Sequence, residues 1–401
     1  MEFKPILRFV ACSDVHVKTD CDTEPERFLR GMEQAYRYAD GQDYDRLDAV
    51  YVVGDFANNG KAEEMRRFQQ LVKASVRPAT EVVLTVASHE FMCPDPENLF
   101  PRLAELFGQA PDNHRVINGF HFISLTTDRR NHVSDEQKEW LKRKLRAAAD
   151  EDWRRPIFVF QHPHLSGTVY GSINWGEDDI ISILMDYPQV VDFSGHSHAP
   201  INDPRNAHQE YFTSFGTGSF SYFELDEFHT MYGTVPPDCG QCAQYLIVEA
   251  DADYRVRVRP FDILSGRFFH DGWLVERPWD PSSFIYTSAR ALAAEKPCFP
   301  AGAAPVCRYA EGKLSLTFPQ AEGSERPDSY TAVIRGAQGR IFAQKSVFSS
   351  YYLYEMPASL TMKFEIQLPP GEYRAELTAR GFWNNRSDAL IVPFTAEGAA
   401  K

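Results

Sequence analysis

The chain has 401 residues, 43% of them hydrophobic and 24% charged, which is the balance of a globular protein large enough for two domains. Its formal net charge of -14 argues against a nucleic-acid polymer or an anionic membrane surface as the main partner. It leaves room for a small phosphorylated substrate, because bound metal ions can reverse the local field.

No apolar run is long enough to span a bilayer. The opening Met1-Glu2-Phe3-Lys4-Pro5 lacks the pattern of a secretory leader, so the expected location is the cytoplasm. Seven scattered cysteines fit a reducing compartment better than a disulfide framework. Cys239-Gly240-Gln241-Cys242 has metal-knuckle spacing, but no second pair stands at zinc-ribbon distance. It reads as a glycine turn carrying two thiols.

Ile6 to Cys12 is strand-like and ends in Ser13-Asp14-Val15-His16. Asp and His two apart in extended chain point to one side. Glu24 to Ala39 reads as a helix with Phe28, Leu29, Met32, Ala35 and Tyr36 on one face. Ala49 to Val53 then runs into Gly54-Asp55, a buried strand ending in a carboxylate. Ala62 to Val76 reads as a helix, and Val82 to Val86 as a strand ending in Ala87-Ser88-His89-Glu90.

Leu99 to Phe107 reads as helical and His121 to Leu125 as a strand. Ser134 and Gln137 form a capping box before a helix with Trp140, Leu141 and Leu145. Pro156 to Phe160 ends in Gln161-His162-Pro163-His164. A short helix is expected over Asp178 to Met185. Val190 to Phe193 ends in Ser194-Gly195-His196-Ser197-His198.

One histidine at a strand end is most often structural. Five strand-like runs ending in Asp-x-His, Gly-Asp, Ser-His-Glu, His and Gly-His-x-His are not a chance pattern. Ligands of open α/β sheets gather beyond the carboxyl ends of the strands. Imidazoles with carboxylates suit Mn, Fe, Zn or Co better than Mg or Ca. A carboxylate such as Asp55 can bridge two cations about 4 Å apart, and bound water can then have a pKa near 7. Such a pair also holds both oxygens of an in-line displacement at phosphorus.

Phe212 to Phe223, Tyr245 to Ala250 and Tyr254 to Pro260 read as strands of a second sheet. The expected first domain is therefore a two-sheet α/β sandwich with helices outside, over residues 1–285. An Ala- and Pro-rich linker is expected at 286–305. A small all-β sandwich of the immunoglobulin or fibronectin kind is expected over 306–401. Phe382-Trp383 in it reads as a core pair, and Tyr170, Trp175 and Phe91 as aromatic residues of rim loops that pack those loops down.

Asp14-x-His16, Gly54-Asp55, Ser88-His89-Glu90, His162 and Gly195-His196-x-His198, in this order, resemble the calcineurin-like metallophosphoesterase superfamily over roughly residues 5–265. The resemblance implies an αββα sandwich and two transition metals, Mn, Fe or Zn. Asp14, His16 and His198 would hold the first metal, Asp55 would bridge, and His162 and His196 would hold the second. His89 would protonate the leaving group. The family has Asn where this chain has Ser88, so Ser88 stands near the second metal as a poorer donor and that site is expected to be the weaker. His164, two beyond His162, is a candidate substrate contact. The expected activity is hydrolysis of phosphoric diesters through metal-bound hydroxide; the alternatives are a phosphomonoesterase and a phosphoryl-ligand binding protein weakened in catalysis. Oligomeric state is not legible.

Overall fold

The first strand, β1 (Pro5–Cys12), is buried along nearly all its length, so a layer must cover each of its faces. In the computed structural model, which describes residues 2–397, the chain forms two units. One runs to Glu227 and resumes over Met231–Ser288; the other comprises Phe228–Thr230 and the described chain from Ala289 onward.

In the first unit β1 pairs in parallel with β2 (Ala49–Val53), and β2 with β3 (Glu81–Thr85). Parallel neighbours need crossovers, and these are α1 (Thr23–Asp40) and α2 (Ala62–Ser75). On its other edge β1 pairs antiparallel with Gln244–Asp251, which pairs with Val256–Asp262. A second sheet contains β4 (Asn113–Ile117), β5 (Phe120–Ser124) and β6 (Ile157–Phe160), then Val190–Ser194, Thr213–Gly216 and Ala207–Gln209. Its four middle strands run parallel.

The sheets face each other across one apolar layer that includes Phe9, Tyr51, Phe122, Phe158, Phe160 and Phe193. Outside the first sheet, α1, α2 and α3 (Leu99–Phe107) contribute Phe28, Met32, Phe68 and Leu103 to a second layer. Outside the other, α4 (Asp135–Glu151) buries Leu141 and Leu145. Ser134 caps α4 as read, accepting from Gln137 N while Gln137 Oε1 accepts from Ser134 N. The result is the αββα order, with the ligand-bearing loops leaving the carboxyl ends of parallel strands in both sheets.

Four features differ from the sequence reading. The runs Tyr245 to Ala250 and Tyr254 to Pro260, read as strands of a second sheet with Phe212 to Phe223, instead extend the first sheet from the free edge of β1, because Gln244–Asp251 pairs with β1 itself. The run Phe212 to Phe223 stays a strand only over Thr213–Gly216. Beyond it Gly218 is left-handed at φ 75° and Phe220 N donates to Asp14 O, which turns the chain under the β1 loop. The helix expected at Asp178 to Met185 shortens to Ile181–Leu184. Asp179 is drawn away to accept from Val133 N and to pair with Lys138 and His132. The strand expected from Tyr254 to Pro260 begins at Val256 instead, because Tyr254 turns at φ 64°.

The second unit is an all-β sandwich. Val306–Ala310, Lys313–Pro319 and Ser359–Glu365 form one antiparallel sheet; Ile341–Phe348, Ser329–Arg335, Gly371–Arg380 and Leu390–Ala396 form the other. Burial alternates along these strands, and the inward side chains, Leu316, Tyr330, Ala332, Met362 and Leu377 among them, make its core. The stretch read as a linker is more than a tether. Arg290–Ala293 is a helical turn, Cys298 bridges Glu322, and Phe299 packs on the sandwich core. Phe382 is buried against Tyr351, whereas Trp383 Nε1 donates to Glu325.

Among the described residues no helix is long and apolar enough to cross a membrane. All seven cysteines lie in the described chain as free thiols, with Cys239–Gln241 a 3-10 turn.

Candidate metal centre

The loops after β1 and β2 run side by side. Asp14 N donates to Gly54 O and His16 N to Asp55 O, and Val17 bridges Ala57. This brings both carboxylates together. Two glycines make room. A Cβ on Gly54, itself at φ 83°, would stand 2.4 Å from His162 Nδ1, and one on Gly195 would stand 2.7 Å from Asp14 Oδ2. Neither position admits a side chain.

Five of the candidate ligands, Asp14, His16, Asp55, His196 and His198, hold positive φ between 50° and 70°. That conformation costs an L-residue about 1–2 kcal/mol. Strain concentrated this way is a mark of a working site.

The side chains form three overlapping triplets whose ligand atoms lie within 4.8 Å of one another: Asp14, His16 and His198; Asp55, His162 and His196; and His16, Asp55 and His89. Backbone acceptors fix two of the rings. His198 Nδ1 donates to Tyr222 O at 2.9 Å, and His162 Nδ1 donates to Val53 O at 2.7 Å. In each neutral ring Nε2 therefore carries the lone pair. Yet His198 Nε2 lies 3.1 Å from Asp14 Oδ1, and His162 Nε2 lies 3.0 Å from Asp55 Oδ2. A lone pair against a carboxylate oxygen repels unless a proton or a cation sits between them.

Asp14 Oδ1 and His162 Nε2 are buried and have no hydrogen-bond partner among the described residues. Asp14 Oδ2, in contrast, is used by Ser13 Oγ and by His196 N. His16 Nε2 and His198 Nε2 face each other at 3.1 Å. An orphaned carboxylate oxygen and converging imidazole nitrogens are the donor set of a borderline transition metal. The residues fit the cation pair.

The electrostatics agree. Burial alone would raise the Asp14 carboxyl, but His198 and His162 outweigh it and hold it well below the usual carboxylate range. Asp55 is lowered against its burial by His162 and His16. Burial would lower His162, and Asp55 and Asp14 instead push it up to about 10. His196 goes the other way, lowered to about 3 by burial and by His162. The pocket demands positive charge and spreads it unevenly.

His89 is exposed for 29% of its side chain, with Nδ1 donating to Asn58 O at 2.7 Å and Nε2 lying 4.0 Å from Asp55 Oδ2. Ser88 is half-buried in the turn just before it. Glu90, fully buried, accepts from Asp55 N, Ala57 N and Ala87 N at 2.9–3.1 Å and so ties the β2 loop to the β3 loop.

His164 corrects the sequence reading. It is 1% exposed, and both its ring nitrogens are engaged, by Ser194 Oγ and Ser197 Oγ. Burial pushes it down to about 3. It braces the Gly195–His198 loop from beneath and has no face for substrate. Tyr170 is buried too, under the Arg205 guanidinium, and Phe91 packs on Phe100. Trp175 does reach the rim, 37% exposed, with its ring 4.9 Å from that of His196. Asn131 and the Tyr222 carbonyl escaped the sequence reading. The first lies in a polar turn with no motif, and the second is a backbone group, which leaves no mark in a sequence.

Two facing sheets with helices outside and a His/Asp cluster at the strand ends define a metal-dependent phosphoesterase architecture. Residues 7–200 match the model of the calcineurin-like phosphoesterase family, and this first unit belongs to the calcineurin-like metallophosphoesterase superfamily. Among solved structures, the purple acid phosphatase PPD1 of yellow lupin (Lupinus luteus) is similar at 14% identity and a TM-score of 0.47, over 67% of this chain and 53% of that one. The chain thus spans about half the length of the lupin protein. The FN3 domain of human collagen XX is similar at 17% identity and a TM-score of 0.18, over 26% of this chain and 100% of that one. No curated protein matches the chain.

Proposed function

We propose that this chain hydrolyses phosphoric esters with a pair of transition metal ions, Mn, Fe or Zn, and prefers diesters. The observation that carries the reading is the sharing of Asp55 and His16 between triplets, which makes two adjoining cation positions out of one cluster. Asp14, His16 and His198 would hold the first cation, His162 and His196 the second, and Asp55 would serve both. The cations supply charge for the phosphoryl oxygens and acidify water.

The side chains do the rest. Asp14 and Asp55 bring two negative charges, fewer than two divalent ions carry, so the site draws an anion. With Nδ1–H given to Asn58 O, His89 has only Nε2 to exchange a proton. That nitrogen faces the cluster and protonates the departing alkoxide. Trp175 beside His196 offers an apolar face to a second ester arm, which a monoester lacks. Likeness to small members of the superfamily supports the same preference.

The test is manganese-loaded protein given bis-p-nitrophenyl phosphate and p-nitrophenyl phosphate side by side. The diester should turn over faster. A reversed ratio assigns a phosphomonoesterase. No turnover of either with Mn, Fe, Zn or Co leaves the third reading, a phosphoryl-ligand binding protein. Ser88 provides the companion measurement. Its short hydroxyl is a poor donor, so the second metal should bind more weakly than the first, and Ser88→Asn should narrow the gap. Two equally tight sites in a metal titration of the wild-type chain would refute this.

A further inference from the structure

His162 and His198 each have one ring nitrogen committed to a backbone carbonyl, which leaves the other for a cation. Among the described residues no backbone carbonyl meets the His196 ring. Its ring is met instead by a side chain, Asn131, whose Nδ2 lies 3.2 Å from His196 Nε2. In this orientation the amide donates to Nε2. The ring proton is then on Nδ1, and neither nitrogen has a lone pair to give a metal.

The other end of the same carboxamide, Asn131 Oδ1, is buried and has no hydrogen-bond partner among the described residues. A half-turn of the amide therefore breaks no bond elsewhere. It brings Oδ1 to His196 Nε2, where it accepts a proton held on that nitrogen. Nδ1 is then the nitrogen with the lone pair. We infer that Asn131 is a positioning residue: its carboxamide oxygen holds His196 with the proton on Nε2 and so presents Nδ1 to the second cation. Partners of this kind set both the tautomer and the basicity of a ligating histidine.

The loop is built to hold the amide still. Asp128 Oδ1 accepts from Arg130 N at 2.7 Å and from His132 N at 2.9 Å, and Asn131 N donates to Asp128 O. Asn131 itself sits at φ 66°, a conformation asparagine tolerates better than most residues. His196 is anchored as well, through its own N–H to Asp14 Oδ2 at 3.1 Å. Two rigid partners meet at one hydrogen bond. The second cation has only Asp55, His162 and His196 in its triplet, so a wrong tautomer there removes one donor of three.

This inference rests on the two-cation reading of the site, and zinc binding separates the two. Zinc alone is titrated into the metal-free full chain and into Asn131→Gly and Asn131→Asp. Glycine keeps the left-handed turn and deletes the amide; aspartate keeps an acceptor. Asn131→Gly should hold the second zinc about 10–100-fold more weakly, with the first unchanged, and Asn131→Asp should recover most of the loss. Nitrogen-15 spectra of the zinc-loaded wild type should show His196 protonated on Nε2 and metallated on Nδ1. Metallation through Nε2 overturns the inference, as does an Asn131→Gly variant that binds both zinc ions as tightly as wild type. If the wild type takes up only one zinc, the two-cation reading falls and this falls with it.

Discussion

His89 meets the cluster through a single ring nitrogen, and that arrangement makes it separable from the metal ligands. Its Nδ1 is spent on Asn58 O and its backbone N–H on Asp55 Oδ1. His89→Ala should then lower kcat by about 10²–10⁴-fold, the usual worth of a positioned acid, with metal content unchanged by elemental analysis. Its proposed role came from the resemblance carried by Ser-His-Glu after a strand. The role of His164 needed the folded structure. Two histidines in His-Pro-His look alike in the sequence, and only the packing of Ser194 and Ser197 around one of them tells ligand from brace.

Asp192 is a second residue-scale case. It is fully buried in the strand Val190–Ser194, and burial pushes its carboxyl up to about 8, against the pull of Ser214 and Gln161. The unfolded chain releases this proton near pH 4. Between there and about pH 8 the folded state keeps a proton that the unfolded state has lost. Stability attached to Asp192 is therefore full below pH 4 and falls as pH rises, on the order of 1 kcal/mol per pH unit, until the folded group ionises too. Asp192→Asn should match wild type at pH 4 and exceed it at pH 8 in denaturant unfolding. Equal pH slopes for the two proteins would refute the assignment.

At the scale of elements, the layer between the sheets is aromatic, and Phe9 on β1 is its hub. Its ring lies 4.9 Å from Phe158, 5.1 Å from Phe122 and 5.8 Å from Phe193, so one side chain joins the two sheets. Phe9→Ala should destabilise the first unit by about 3–5 kcal/mol, read as a lower denaturation midpoint at unchanged slope. The loss should reach the site, because Asp14 and Asp55 hang from strands that Phe9 and Tyr51 lock together. These strands were legible because short β-branched and aromatic runs ended in turn residues. Helix Asp178 to Met185 was misread because its first turn has a stronger offer: Asp179 satisfies Val133 N just before α4 and pairs with Lys138 in its first turns.

Across the whole molecule, orphaned donors make the metal-free first unit less stable than it can be. Metal at 100 times its dissociation constant adds about 2.7 kcal/mol per site. For a unit of this size that is a rise of roughly 5–11 °C per site. Each unit has its own apolar core, and the candidate ligands all belong to the first. In calorimetry of the full chain, adding manganese should raise the transition of the first unit and leave that of the sandwich in place, and a chelator should reverse the shift. A shift in neither transition would count against a metal site.

The amino-acid sequence alone determined the order of layers in the first unit, the all-β character of the second and the His and Asp residues of the cluster. Those follow from local rules, a period-two strand, a turn and a polar residue beyond it, that act within about ten residues. Tertiary structure alone decided which nitrogen of each ring is free, that His164 is a brace, and that Asn131 meets His196. Each of those depends on contacts between distant segments, such as His198 with Tyr222 O, His162 with Val53 O and Phe220 N with Asp14 O. A hydrogen bond to a backbone carbonyl has no side-chain signature, so it exists for the reader only once the chain has folded.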